Sequence, residues 1–127
     1  MYMISIPDHA KISRLISQSG LSGKLEPLEK KLYHANVVEP KFVPENLITM
    51  NSELRLRDVS TGHSHAVKLV YELAHKGNQV SVLAPLGMAL LAARENATIT
   101  YKDSGNQKIF VVEEILFQPE AAGEADL

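Results

Sequence analysis

Val80-Ser81-Val82-Leu83-Ala84-Pro85-Leu86-Gly87-Met88-Ala89-Leu90-Leu91-Ala92-Ala93 is the stretch that decides the fold. A β-branched apolar run leads to Pro85, which suits the first turn of a helix, where its missing N–H leaves no bond unmade. Residues 86 to 93 are then apolar on every side, and the first charge comes only at Arg94. A surface helix keeps one polar face, so a helix without one has to be wrapped. In a short chain whose other segments alternate apolar and polar, the wrapping has to be a curled sheet.

Working outward, the period on both sides is two. Leu54 and Leu56 alternate with Glu53, Arg55 and Arg57, and Ser60-Thr61-Gly62 reads as a turn. Val67, Leu69 and Tyr71 then alternate with Lys68 and Glu72, and a third strand spans Gln79 to Leu83. Downstream come Thr98 to Tyr101, a turn at Asp103-Ser104-Gly105-Asn106, and a long strand from Lys108 to Phe117. That last strand is apolar on both sides for much of its length, as a central strand is. Gln118 to Leu127 is acidic and rich in small residues, and is expected to fray.

Further upstream the period is helical. After a short strand at Tyr2 to Ile6, Pro7-Asp8 opens a helix in which Ile12, Leu15, Ile16 and Ser19 share a stripe, and Gly20 stops it. Leu21 to Lys24 is a tight connection, and a second helix has Pro27 in its first turn and Leu28, Leu32 and Ala35 on one side. Val37 to Asn46, with Pro40 and Pro44, reads as an extended linker. The predicted fold class is α+β: a short N-terminal antiparallel helical hairpin with linker over 1–45, then a curled antiparallel sheet around one helix over 46–127, ending in the acidic tail.

Composition excludes several function classes. The chain has 127 residues, enough for one domain with a modest core. A net charge of −2 does not suggest a nucleic-acid binder, which carries a basic excess. No apolar run approaches the length of a membrane span, and the start lacks the basic flank of a secretory signal. Cysteine is absent, so disulfides, thiolate metal sites and cysteine nucleophiles are excluded. A cytoplasmic protein is expected.

Three segments carry a resemblance: Thr49-Met50-Asn51-Ser52, Ser81 to Leu91, and Phe117-Gln118-Pro119-Glu120-Ala121-Ala122-Gly123. From Leu47 to Gly123 the chain resembles the C-terminal, FKBP-like domain of the bacterial GreA/GreB transcription factors. Its ending resembles that of their regulator of nucleoside diphosphate kinase group. Ala92 and Asn96-Ala97 depart from the glycines usual there. The resemblance implies docking of the sheet domain on RNA polymerase, at the rim of its secondary channel, with no membrane and no sequence-specific nucleic acid as partner. It also implies a long hairpin whose acidic tip positions a metal ion for transcript cleavage. The residues disagree with that second implication. The hairpin is several turns too short, and its tip, Gln18 to Pro27, offers Lys24 and one carboxylate, Glu26. Mg²⁺ normally takes one or two carboxylates beside the substrate oxygens. The expectation is a regulator of elongation that binds and competes without cleavage, with no catalytic, cofactor or metal residues.

The candidate partner-binding residues are Ala84, Pro85, Leu86 and Gly87. Ala84 and Gly87 are small residues at a corner, which lets another surface approach. Pro85 has a competing backbone explanation, and Leu86, Met88, Leu90 and Leu91 compete as core. His63 and His65 share a strand side, but two imidazoles without a third ligand read better as an exposed turn. Arg55 and Arg57 share a face that reads as solvated. No Gly-x-Ser-x-Gly elbow and no phosphate-cradling glycine loop is present.

Two other classes stay open. A peptidyl-prolyl isomerase would share the sheet-over-helix architecture, but fold alone does not give function. Between Asn46 and Gln118 the aromatics are Tyr71, Tyr101, Phe110 and Phe117, and the two phenylalanines have opposite parity on the last strand, too few to line one pocket. An oligomerising or chaperone-like domain pairing through the hairpin is the third reading.

Overall fold

The computed structural model describes residues 2–21, 23–71 and 77–123. Strand β1, Met3–Ser5, runs directly into helix α1, Ile6–Ser19. Ser5 caps that helix: its Oγ accepts the Asp8 N–H at 3.3 Å, which satisfies one of the donors left open at a helix start. Gly20, at φ 74°, ends it in the left-handed conformation that glycine adopts without strain. Helix α2, Glu26–His34, follows and lies beside α1, with His9 Nε2 3.0 Å from Leu32 O. Ile12, Ile16, Leu28 and Leu32 are buried, as the helical spacing predicts.

The stretch expected to be a plain linker is more structured. Asn36–Val38 forms strand β2, which pairs in parallel with β1, and Pro40–Phe42 makes a single 3₁₀ turn. The two strands hold the ends of the helical segment together, and Val43 and Leu47 then anchor the chain in the core.

The main sheet has five strands: β3 Glu53–Asp58, β4 Ser64–Val70, β5 Gln79–Ser81, β6 Thr98–Asp103 and β7 Asn106–Phe117, in the order β5-β4-β3-β7-β6. It corrects the expectation of an antiparallel sheet, because β5 pairs in parallel with β4 through Lys68↔Gln79 and Val70↔Ser81. The third strand is shorter than expected, and Val82 and Leu83 already belong to the turn into the next helix. The hairpin β6–β7 closes on Ser104 and Gly105, at φ 54° and 83°, the two positive values that match a two-residue turn to strand twist.

Strand β7 contains two register shifts against β3. Phe110 faces Asp58 and Val112 faces Leu56, then one residue is skipped, so that Ile115 faces Leu54. The first bulge moves the inward face from even to odd numbers at Ile115, and the second, at Leu116, moves it back, which is why this strand is apolar on both parities without being buried on both faces. Leu116 and Ile109 are in fact 44% and 37% exposed. Phe110 and Phe117 lie on opposite faces, since their partners Asp58 and Glu53 differ in parity.

Helix α3 is Pro85–Leu90, six residues rather than a rod through 93. Ala92, at φ 66°, turns the chain out of the helix, and its N–H donates to Ile48 O while Ala93 O accepts from the Ile48 N–H. Leu90 and Leu91 are 0% and 1% exposed, but Leu86, Met88 and Ala89 are only half-buried. The helix is packed rather than fully wrapped: β5 and β6 cover one side, α2 part of another, and the remainder faces a groove. Six residues make too short a cylinder for a sheet to close around.

The ending also departs from expectation. Gln118 is 4% exposed, and its Nε2 donates to Pro44 O and Leu47 O, both at 2.7 Å. Ala121 N–H returns to Gln118 Oε1 at 3.2 Å, so residues 118–123 are held against the domain. Residues 124–127 lie outside the described residues.

Candidate docking corner and groove

At the strand–helix corner, Ala84 is the N-cap of α3 and half-buried, Pro85 is exposed and Leu86 is half-buried. Gly87 is buried, and a β-carbon there would sit 1.8 Å from Ser81 O and 2.6 Å from Ser81 C. Its lack of a side chain is therefore required inside the chain, where helix and strand backbones meet. The structure brings the four candidates into one corner, but only Ala84, Pro85 and Leu86 present atoms outward.

Pro85, Met88 and Ala89 also form one wall of a groove of about 830 Å³. Its other walls are α2, with Pro27, Lys30, Lys31 and His34, and the edge strand β6 from Thr98 to Lys102. Lys31 ties these walls together. Its Nζ donates to Met88 O at 2.7 Å, Ala89 O at 3.1 Å and Leu91 O at 2.7 Å, three carbonyls that a terminating helix leaves open. Burial pulls its ammonium down to about 8. Nothing in the spacing of α2 marks Lys31, since a lysine on a short amphipathic helix reads as solvated.

A second polar cluster lies where the helical segment meets the sheet. Asp8 is 7% exposed; its carboxylate accepts Tyr71 O–H at 2.9 Å and Met50 N–H at 3.2 Å. Burial pushes the Asp8 carboxyl above the usual range, against those hydrogen bonds. Burial, then the negative charge of Asp8, pushes the Tyr71 hydroxyl up. Thr49 Oγ1 donates to Glu120 Oε1 at 2.7 Å, and burial raises Glu120 as well. In sequence Asp8 reads as part of a helix start, and nothing there marks it as buried. The segments 49–52 and 117–123, quoted for the resemblance, meet here, which was the available signal.

The remaining candidates separate. Arg55 pairs with Glu114 at 2.8 Å and Arg57 with Glu113 at 3.4 Å, so this face is laced to its own neighbour strand. His63 and His65 are exposed, His65 meets Phe110 edge-on at 6.4 Å, and no group of three or more potential metal ligands forms among the described residues. At the start of α2, Glu26 pairs with Lys30 at 2.8 Å, while Glu29 accepts the Gly23 and Leu25 N–H groups at 2.9 Å each. Among the described residues no helix is long and apolar enough to cross a membrane.

A mixed sheet with a proline-led corner helix, two preceding helices and a pinned C-terminal segment makes this an α+β domain. The family model described as "Transcription elongation factor, GreA/GreB, C-term" matches residues 43–116, and the chain belongs to the GreA/GreB family. It is 33% identical over 122 residues to the regulator of nucleoside diphosphate kinase of Escherichia coli strain K12, covering 92% of this chain and 90% of that protein. It is 30% identical to transcription elongation factor GreA of Syntrophus aciditrophicus, covering 80% of this chain and 65% of that factor. The solved prokaryotic elongation factor GreA/GreB from Nitrosomonas europaea superposes with a TM-score of 0.75 at 30% identity, covering 92% of this chain and 100% of that one. The positive φ of Ala92 and Asn96, 66° and 69°, accounts for the glycines that the resemblance places at those positions.

Proposed function

We propose that this chain is an RNA polymerase-binding regulator of transcription elongation in the cytoplasm, one that docks through the corner Ala84–Gly87 and competes with Gre factors without stimulating transcript cleavage. The observation that carries the second half is the helical segment. At ~1.5 Å per residue, α1 is about 21 Å long and α2 about 14 Å, too short to carry chemistry deep into a channel. The carboxylates at its tip are Glu26, in an exposed pair with Lys30, and Glu29, which accepts backbone N–H groups at the start of α2. Glu29 is thereby turned to its own backbone, which leaves Glu26 as one exposed carboxylate, where Mg²⁺ normally takes one or two beside the substrate oxygens.

For docking, Pro85 is the outward residue of the corner, and an acid at the first helical position is well tolerated by the helix dipole. Pro85→Glu should therefore keep the fold and place a charge on the contact. Co-purification with core polymerase tests this: the wild-type chain is expected to retain the enzyme and Pro85→Glu to lose it, with melting temperatures alike. A wild-type chain that brings down no polymerase subunit at micromolar concentration defeats the reading.

A further inference from the structure

Strand β6 is the edge of the main sheet, and five consecutive residues of it, Thr98 to Lys102, line the groove. Side chains of a strand alternate between faces, so five in a row reach one cavity only if it runs along the backbone edge. The orientation of that backbone follows from its partner. Val112 donates to Ala97 O and accepts from the Asn96 N–H, so its polar groups point toward β6. By alternation Phe110 and Lys108 do the same, which makes Ile99 and Tyr101 the bonded partners. Thr98, Thr100 and Lys102 are left with N–H and C=O directed away from the sheet. Outside the ladder with β7, none of these groups enters a backbone hydrogen bond among the described residues.

A free edge of six residues, about 20 Å long, is a template for another strand. Such edges are usually blunted by bulges, prolines or charges; here the first four residues, Thr98-Ile99-Thr100-Tyr101, carry none. The groove also has a sign. Among the described residues that line it are Lys30, Lys31, Lys102 and His34, and no carboxylate. Lys30 is paired with Glu26 and Lys31 with the carbonyls of α3, while Lys102 stands exposed on the edge itself. Between these charges lie Met88, Ala89 and Tyr101, an apolar strip beside the strand.

We propose that the β6 edge is a docking site for an extended segment of a partner protein in which apolar and acidic residues alternate, added to the sheet as a sixth strand. Its main chain bonds to Thr98, Thr100 and Lys102, its apolar side chains cover Met88, Ala89 and Tyr101, and its carboxylates face the exposed Lys102 ammonium. A row of amides fits a chain better than a compact small molecule, whose polar groups converge on a point. The inference does not rest on polymerase as the partner: a chain that fails to retain polymerase but binds such a segment keeps it.

The test uses a fluorescein-labelled hexapeptide of alternating valine and glutamate, with a valine–lysine hexapeptide as counterpart. Anisotropy titration of the full chain is expected to show at least about tenfold weaker binding of the lysine peptide. Saturation with the glutamate peptide is expected to slow amide hydrogen exchange at Thr98, Thr100 and Lys102. Thr100→Pro removes an outward N–H, which edge strands tolerate, and is expected to weaken binding by about tenfold or more with the melting temperature unchanged. Should that variant not fold, Lys102→Glu, an exposed position, is expected to weaken binding of the glutamate peptide and improve that of the lysine peptide. No saturable binding, equal affinity for both peptides, or protection mapping elsewhere overturns the proposal. Protection of the same three amides that rises with protein concentration, without peptide, assigns the edge to a second copy and overturns it too.

Discussion

Ser81 O occupies the space a β-carbon on residue 87 would need. Because the opposing atom is backbone, Gly87→Ala cannot be absorbed by a side-chain shift, and we expect a loss of about 3 kcal/mol or more, read from urea midpoints. Asp8 works in the other direction, as a polar group held inside by its partners. Removing it in Asp8→Ala strands the Met50 N–H and Tyr71 O–H, for an expected cost of about 2–3 kcal/mol in the same measurement. The pH dependence follows from the upward shift of the Asp8 carboxyl. Its folded state holds a proton that the unfolded state releases from about 3.8 upward, so the stability contributed is complete below that pH and is lost as pH rises through the folded value. Between pH 4 and pH 7, wild type is therefore expected to lose more stability than Asp8→Asn, which carries no titrating group there. Parallel denaturation curves for the two proteins would contradict this.

Elements differ in how plainly the sequence announces them. Helices α1 and α2 and strands β3 and β6 follow their periods, because each has one buried side and one wet side, and β4 does so as far as Leu69, beyond which Val70 is buried as well. Strand β7 hides its bulges: apolar residues on both parities look like a strand buried on both faces, and only the register with β3 shows a change of face midway. Helix α3 starts at Pro85, as its sequence predicts, but its end is not visible there, since Leu91, Ala92 and Ala93 are as apolar as the helix before them. What ends it is tertiary, the pairing of Ala92 and Ala93 with Ile48. The same holds for the C-terminal segment, whose small acidic residues suggest fraying. Gln118 pins it by satisfying two backbone carbonyls, and Gln118→Ala is expected to cost about 1–2 kcal/mol and to speed proteolysis within 118–123. The four residues of the proposed docking corner are consecutive and can be named from the sequence, but that Gly87 faces inward, against Ser81, cannot. Nor can Lys31 and the open β6 edge, because both depend on which elements end up adjacent.

At the scale of the molecule, the helical segment and the sheet share one hydrophobic cluster, from Ile4, Ile12 and Leu28 through Leu54, Leu90 and Val112. Lys31 and Asp8 add polar ties across the same junction. The short helices are thus fixed on the sheet rather than extended from it, which is what the proposed role as a competitor requires. Stalled elongation complexes supplied with GreA measure that directly. With increasing amounts of this chain, GreA-stimulated transcript cleavage is expected to fall toward its unassisted level, and the chain without GreA is expected to leave transcripts intact. Cleavage stimulated by the chain itself, or GreA activity unchanged at saturating chain, would contradict the account.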